Sequence, residues 1–328
     1  ARYLADSRVR IELITGGRSS ATRLAALGRL ARGEVDIAIG THALVQPGVE
    51  FQRLGLIVVD EQHKFGVLQR GALRQKGRHP DVLVMTATPI PRTLSLTVFG
   101  DLDVSILDEM PPGRRPVKTK WGPGENRAKV YDFIRKRLAA GEQAFIVYPL
   151  VEESEKVDLQ AATEASERLR AGELHGFRVG LLHGRMKPDE KNKVMDDFRA
   201  GRLQALVSTI VIEVGVDIPN ASVMLVEHAE RFGLAQLHQL RGRVGRGAHT
   251  AQAWFILLAE NPSADALRRL EIIASTTDGF RIAEEDLRLR GPGEFFGVRQ
   301  HGLPEIRIGD IIGDVELLRV ARHDAFEL

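Results

Sequence analysis

Several common features are missing from this sequence of 328 residues, and each absence excludes a class of protein. The chain has no cysteine, which excludes disulfide bonds and thiolate-bound zinc and fits a reducing cytoplasm. No apolar run approaches the roughly 18 residues that a membrane-spanning helix needs. The Gly-Lys dipeptide of a phosphate-binding loop does not occur either. The net charge is only +2 at pH 7, so bulk charge by itself does not indicate a nucleic-acid partner.

What the chain does contain is an alternation of strand-like and helix-like segments. Its hydrophobic content of 43% and charged content of 27% are typical of a globular protein. Short apolar runs that end near Gly, Thr or Asp, with helical periodicity between them, are typical of βαβ units with parallel strands. The predicted strands are Val35–Thr41, Leu54–Glu61, Val82–Thr88, Val104–Leu107, Ala144–Leu150, Val179–His183, Ala205–Thr209, Val223–Glu227 and Ala253–Leu258.

A proline-rich stretch, residues 110–116, divides these strands into two sets. Three prolines and a glycine there favour an extended linker over helix or sheet. Beyond about residue 262 the pattern becomes helical and then glycine-rich. We therefore predict an α/β protein with two tandem parallel-sheet lobes, the first incomplete, followed by a helical hairpin and loop. The predicted domains are residues 1–112, 113–262 and 263–328, the last one truncated at its end.

The most informative stretch is Asp60-Glu61, which directly follows the apolar run from Leu54 to Val59. A parallel strand that ends in two acids delivers both carboxylates to the edge of the sheet where α/β proteins bind ligands. One carboxylate can hold the hydration shell of Mg²⁺ while the other orients or deprotonates a water. Many strands end in an acid, so this interpretation needs support from elsewhere in the chain.

Such support comes from the segment Gln239-Leu-Arg-Gly-Arg-Val-Gly-Arg246. Arginine is suited to forked contacts with phosphate oxygens, and an arginine supplied across a cleft can stabilise charge during phosphoryl transfer. A solvated basic helix end is the alternative interpretation. A solvated face has no need of Gly242 and Gly245, so the spacing favours a phosphate-binding role.

Two further strand ends carry hydroxyl groups and leave two interpretations open. In Thr86-Ala87-Thr88 the hydroxyls can relay hydrogen bonds from the carboxylates, or Thr88 can simply cap a strand-to-helix turn. In the segment from Thr209 to Asp217 the threonine can meet a sugar-phosphate chain and the aspartate a ribose or an arginine. A buried turn with satisfied polar groups is the alternative there.

Taken in order, these segments resemble the motor of superfamily 2 helicases. Their exact residues narrow the resemblance to the RecG family of bacterial ATP-dependent DNA helicases. It covers essentially the whole chain. The segments that carry it are Asp-Glu-Gln-His-Lys-Phe-Gly, Thr-Ala-Thr-Pro-Ile-Pro-Arg-Thr-Leu, His-Gly-Arg-Met-Lys-Pro, Gly-Leu-Ala-Gln-Leu-His-Gln-Leu-Arg-Gly-Arg-Val-Gly-Arg-Gly and Arg-Gly-Pro-Gly-Glu-Phe-Phe-Gly-Val-Arg-Gln.

The resemblance implies two RecA-like lobes and a cytoplasmic, ATP-driven translocase on double-stranded DNA. Such a motor remodels branched DNA, meaning stalled forks and Holliday junctions, in repair and recombination. The expected cofactors are ATP and Mg²⁺, and the expected partner is branched double-stranded DNA. A single-stranded DNA-binding protein is a further candidate partner, and no membrane is involved.

The resemblance also implies a role for individual residues. The implied catalytic residues are Asp60, Glu61, Gln62, His63, Arg243 and Arg246. Of these, Asp60 helps to hold Mg²⁺ through water, Glu61 activates the attacking water, the next two residues sense the γ-phosphate, and the arginines reach the phosphates across a cleft. The implied nucleotide-binding residues are Gln239, Gly215 and Asp217. The residues implied to bind DNA or couple it to the nucleotide are Thr41, Thr86, Thr88, Arg185, Thr209, Arg269, Arg290 and Gln300.

Two alternatives stay open at this point. The related transcription-repair coupling factor shares several segments, but it usually carries another Glu where this chain has His63. A non-catalytic helicase-fold module that binds DNA or a partner is favoured by the missing Gly-Lys if the chain is complete. The abrupt start instead indicates a fragment whose first nucleotide-binding motifs and wedge domain precede residue 1, and we then expect the chain alone not to hydrolyse ATP.

Overall fold

The computed structural model describes residues 4, 6–15, 20–61, 73, 75–86, 103–107, 109, 115–149, 155–209, 218–247, 252–290 and 314–327. The chain divides into two compact units, Ala1–Ala87 (the first unit) and Thr88–Leu328 (the second unit). Within the described ranges, no helix combines the length and the apolar character that crossing a lipid bilayer requires.

The first unit contains two pairs of parallel strands. Strand β1 pairs with β2, and β3 pairs with β4, with Val59 opposite Val84 at the end of the second pair. Helix α1 lies between β1 and β2 in sequence and packs Ala26 and Leu30 into a small core with Ile14. The bounds are β1 Ile11–Ile14, α1 Ser20–Ala31, β2 Ile37–Gly40, β3 Leu56–Val59 and β4 Asp81–Val84.

Strands β3 and β4 expose one face, which is apolar except for Asp81 at the start of β4. Side chains alternate along a strand, so Ile57 and Val59 are buried while Leu56 and Val58 keep 58% and 52% of their surface exposed. Leu83 on β4 is likewise 50% exposed. Parallel strands are usually apolar on both faces because both faces are covered. The described part of the first unit therefore presents an apolar strand surface to solvent.

The second unit is built on one six-stranded parallel sheet with the strand order β5-β10-β9-β6-β8-β7. Its strands are β5 Lys118–Pro123, β6 Gln143–Val147, β7 Val179–Leu182, β8 Ala205–Ser208, β9 Ala221–Val226 and β10 Trp254–Ala259. Its helices are α2 Arg127–Ala139, α3 Glu155–Ala171, α4 Pro188–Arg199, α5 Leu234–Arg241, α6 Ala264–Ser275, α7 Gly279–Arg290 and α8 Val315–Glu327.

Helices cover both faces of this sheet. Along β6, Ala144 and Ile146 face a core that includes residues of α2 and α3. The alternate residues Phe145 and Val147 face a second core, to which α4, α5, α6 and α7 contribute. Because each central strand is buried on both sides, its sequence is a continuous apolar run, which is the signal that predicted these strands.

The predicted α/β class with parallel sheets is confirmed, and individual strands differ from the prediction. The predicted strand at residues 104–107 was wrong, because these residues are exposed and pair with no strand in the part of the chain that the structure describes. The prediction also missed β1 and β5. Strand β5 is the edge of its sheet, where Lys118 and Lys120 are exposed and Pro123 ends the strand. Lysine and proline are typical of edge strands, and they interrupt the apolar run on which the strand predictions relied. The division into the three domains 1–112, 113–262 and 263–328 stays a prediction.

Candidate functional site

Asp60 and Glu61 lie at the carboxyl edge of the β3–β4 pair. Asp60 is exposed and its Oδ1 accepts a hydrogen bond of 2.9 Å from the backbone N–H of Glu61. The backbone of β4 continues this pairing past its last strand residue, because the Met85 N–H donates to the Val59 carbonyl at 2.8 Å. Thr86 follows directly, so the structure brings both acids and this hydroxyl to one edge of the strand pair.

The backbone at Glu61 is in the left-handed region, with φ of 53°. A residue with a branched or long side chain adopts this conformation at a cost of about 1 kcal/mol, and such strain is concentrated at functional sites. Gln62 and His63, which complete the predicted motif, lie outside the described residues.

The donors around Asp60 fit a magnesium ion that keeps most of its own water. Mg²⁺ prefers hard oxygen ligands and dehydrates reluctantly, so one exposed carboxylate is enough to position it. Among the described residues, no group of three or more histidine, aspartate or glutamate side chains is arranged so that it could hold a metal ion. The described residues therefore do not form a metal site in which side chains supply all the ligands.

Thr41 lies at the corresponding edge of the β1–β2 pair. It precedes a short 3₁₀ turn, His42–Leu44, and its side chain makes no capping hydrogen bond to that turn. The preceding Gly40 is tightly enclosed, since a Cβ there would lie 2.4 Å from the carbonyl oxygen of Ile14. The turn is thus held close to β1, and Thr41 is exposed beside it.

In the second unit, the arginine-rich segment splits into a buried and an accessible part. Arg241, the last residue of α5, is only 5% exposed and donates to the carbonyls of Ile273 and Thr276 at 2.9 and 2.7 Å. Burial lowers the pKa of Arg241 to about 10. This arginine therefore anchors the end of α6 to α5, and it is a structural residue rather than a phosphate ligand.

Arg243 and Arg246 are the accessible arginines of this segment. Arg243 is half-buried, and the exposed Arg246 donates from Nε to the Gly242 carbonyl at 2.9 Å. Gly245 has φ of 73° and its absent Cβ would lie 2.6 Å from the Cβ of Ala253. The glycine is thus required by close packing, which rigidly positions the arginines on either side of it. Gln239, one helical turn before Arg243, is half-buried on α5.

Thr209 lies at the carboxyl edge of the six-stranded sheet, directly after β8. It is 5% exposed and contributes to the wall of a cavity of about 590 Å³. Several cationic or titratable side chains line the same cavity, namely Arg127, Arg168, His228 and Arg231, and Glu260 is among the acids that face it. The cavity therefore combines a buried hydroxyl with a basic wall.

An ion-pair network that the sequence did not predict underlies this cavity. Glu227 is fully buried after β9, and its carboxylate accepts from Arg127 Nη2 at 2.9 Å and from the Tyr131 hydroxyl at 2.9 Å. Arg127 also donates to Glu260 at 2.8 Å, and this hydrogen bond lowers the pKa of Glu260. Burial raises the pKa of Tyr131, which stays a donor. The available signal was an acid at the end of a wholly apolar strand.

The remaining predicted residues are scattered. Arg185 is exposed in the turn between β7 and α4. Arg269 on α6 donates to the Glu230 carbonyl at 2.9 Å, which ties this helix to the segment after β9. Arg290 is the last residue of α7. The predicted residues that lie outside the described ranges are Gln62, His63, Thr88, Gly215, Asp217 and Gln300.

Three family models match the chain. DEAD/DEAH box helicase matches residues 1–97, the helicase conserved C-terminal domain matches residues 126–248, and the C-terminal part of domain 3 of ATP-dependent DNA helicase RecG matches residues 276–328. Among solved structures, the helicase Lhr of Mycobacterium smegmatis shares 17% identity over 81% of this chain and 37% of its own, with a TM-score of 0.58, which shows a common fold.

Similarity to RecG proteins is far higher. The chain is 52% identical to ATP-dependent DNA helicase RecG of Streptococcus pneumoniae over 97% of its own length, and 50% identical to that of Bacillus subtilis over 98%. It covers 47% of each of these relatives, which is about half of their length. A structure of RecG bound to a three-way DNA junction matches 97% of this chain and 40% of that one, with 44% identity and a TM-score of 0.72. At this similarity along nearly all of its residues, the chain belongs to the RecG family of helicases.

Proposed function

We propose that this chain is motor machinery of an ATP-dependent translocase on double-stranded DNA, which remodels stalled forks and Holliday junctions during repair and recombination in the bacterial cytoplasm. The observation that carries the proposal is the 44% identity, over 97% of the chain, to a RecG structure bound to a three-way DNA junction. A single-stranded DNA-binding protein is a proposed further partner.

Asp60 and Glu61 are proposed to serve the nucleotide end of the reaction. Asp60 is exposed at the edge of the strand pair and holds Mg²⁺ through the water shell of the ion, and Mg²⁺ when bound neutralises charge on the phosphate oxygens. Glu61 orients the attacking water and takes its proton. The left-handed backbone at Glu61 supports this role, because backbone strain is concentrated at functional sites.

The arginines are proposed to stabilise negative charge on the phosphates. Arg243 and Arg246 flank the enclosed Gly245, so their backbone is fixed before the ligand arrives, which lowers the entropy cost of binding. The other residues proposed to act in catalysis are Gln62 and His63, and those proposed to bind the nucleotide are Gln239, Gly215 and Asp217.

The carboxyl edge of the six-stranded sheet is proposed to meet the DNA backbone. Thr209 offers a hydroxyl in the basic cavity, and Arg168 and Arg231 are exposed without a salt-bridge partner among the described residues. Phosphate contacts of this kind position DNA without reading its sequence. The proposed coupling and DNA-binding set also includes Thr41, Thr86, Thr88, Arg185, Arg269, Arg290 and Gln300.

A chimaera tests the catalytic part of the proposal. This chain replaces the matched segment of the Streptococcus pneumoniae relative, and phosphate release is measured with a three-way junction and with linear duplex DNA. We expect junction-stimulated turnover, and we expect Glu61→Gln to reduce it by about 10² to 10⁴. Glu50→Gln, at an exposed acid of the same unit, is the matched control. Turnover in Glu61→Gln equal to that in the control would remove Glu61 from its role.

Salt dependence of binding tests the DNA part. The chain is titrated with a fluorescent three-way junction over a range of salt concentrations, and the slope of log K against log salt is compared between variants. Arg168→Ala and Arg231→Ala should each reduce the steepness by about 1, because each removes one phosphate contact. Lys136→Ala, at an exposed lysine on α2, should leave the slope unchanged. Equal slopes for all variants would place the DNA elsewhere.

A further inference from the structure

The open face of the β5–β10 edge carries an apolar groove of about 390 Å³, away from the residues assigned above. Its floor is formed by alternate residues of β10, namely Trp254, Ile256 and Leu258, and its wall by Val130 and Phe133 of α2. Phe133 and Trp254 meet edge to face with ring centroids 5.3 Å apart. The groove is therefore lined by a preformed aromatic pair.

The edge position of β5 explains why the groove is open. Opposite the three floor residues, β5 places Lys118, Lys120 and Gly122, and Trp121 of the same strand also lines the groove. Trp254, Phe133 and Val130 stay half-buried. A half-buried aromatic cluster next to a sheet edge is the kind of surface that proteins use to bind a partner.

The rim of the groove is positively charged. The Lys118 and Lys120 ammonium groups lie 5.3 and 5.5 Å from the centroid of the Trp254 ring, and Lys129 of α2 lines the groove. None of the three lysines forms a salt bridge within the part of the chain that the structure describes. Two ammonium groups over one ring repel each other, so a carboxylate placed between them would be favourable.

We propose that this groove docks an acidic peptide segment of a partner protein, which packs one aromatic or large aliphatic side chain against the Phe133–Trp254 pair and pairs its carboxylates with the lysines. Charge complementarity selects an acidic partner and the apolar floor selects a large side chain. The face of the Trp254 ring is already occupied by the lysines, which disfavours base stacking and hence a nucleic acid.

Addition of a strand to the outer edge of β5 is a less suitable mode of binding for this peptide. Pro123 at the end of β5 has no N–H to donate, and lysines along an edge strand oppose such pairing. The peptide therefore lies in the groove, where its side chain rather than its backbone supplies the contact.

The test uses the whole chain in a Trp121→Phe background, so that Trp254 is the only tryptophan. The probe is a short fluorescein-labelled peptide of aspartates around a central phenylalanine, followed by anisotropy, and its unlabelled form is followed by Trp254 emission. We expect saturable binding with a change in that emission. The Lys120→Glu/Lys129→Glu double variant should weaken binding at least about tenfold, whereas Lys136→Glu on the same helix should not.

Four results would overturn the proposal. Equal binding of a peptide with serine in place of phenylalanine would show that the groove takes no side chain. Displacement of the peptide by a single-stranded oligonucleotide, with the same loss in the double variant, would make the groove a nucleic-acid surface. Absence of binding at millimolar peptide, or binding that is unchanged in the double variant, would show that another segment covers the groove or that the peptide binds elsewhere.

Discussion

The buried carboxylate of Glu227 offers the sharpest test of what holds the second unit together. Substitution Glu227→Gln keeps the shape of the side chain but removes the charge that pairs with Arg127 at 2.9 Å. The amide also turns one acceptor oxygen into a donor, so one of the two short hydrogen bonds, from Arg127 Nη2 to Oε2 or from the Tyr131 hydroxyl to Oε1, loses its acceptor. Breaking one partner of a buried pair costs about 3–5 kcal/mol.

The lower end of this range applies because Arg127 keeps its second partner, Glu260, at 2.8 Å. A loss of about 3 kcal/mol in a unit of this size corresponds to a fall in melting temperature of about 6–12 °C. Urea denaturation followed by tryptophan emission measures it, since both tryptophans, Trp121 and Trp254, belong to the second unit.

The matched control is Glu125→Gln, at an exposed acid in the turn before α2, and it should stay within about 0.5 kcal/mol of the parent. A double-mutant cycle with Arg127→Met isolates the pair, and we expect a coupling energy of at least about 1 kcal/mol. If Glu227→Gln unfolds at the same urea concentration as Glu125→Gln, then the network does not stabilise the unit and the reasoning is refuted.

Three other substitutions have defined outcomes. Arg241→Leu leaves two helix-end carbonyls without a donor, so it should cost about 2–4 kcal/mol in urea denaturation and speed amide hydrogen exchange at the end of α6. Glu61→Gly relieves the left-handed backbone and should raise thermal stability by about 0.5–1 kcal/mol, whereas Glu61→Gln should not. The Arg10 hydrogen bond lowers the pKa of Asp36 to about 2 from 3.8, so its stabilising effect is complete above about pH 4 and lost as the pH falls to about 2. Asp36→Asn should therefore lower the urea midpoint near neutral pH and show no difference from the parent at about pH 2.

The sequence predicted those parts of the fold that depend on local pattern. Central strands such as β6 and β9 are almost wholly apolar because both of their faces are buried. Helix α4 begins at Pro188, a residue whose fixed backbone angle suits the first turn of a helix. Strand β5 was not predicted, because an edge strand commonly carries lysine and proline and therefore lacks the continuous apolar run by which the central strands were recognised.

Features that depend on distant contacts could not be predicted from the sequence. Arg127 and Glu227 are separated by 100 residues, and only the packing of α2 against the sheet brings them together. Arg241 belongs to the same motif as Arg243 and Arg246, yet its partners are carbonyls at the end of α6, which no spacing reveals. The motif therefore predicted phosphate binding by the segment as a whole. The structure adds that Arg241 is buried, whereas Arg243 and Arg246 are accessible.

The apolar outer face of β3 and β4 has a consequence for the behaviour of the protein in solution. Leu56, Val58 and Leu83 present large aliphatic side chains on a short strand pair, beside the exposed Asp81 that stands opposite Leu56. Surfaces of this composition associate with one another as molecules are crowded, and the association grows with the square of the concentration at first. Colloidal stability, rather than the free energy of unfolding, therefore sets the upper concentration at which the chain remains monomeric.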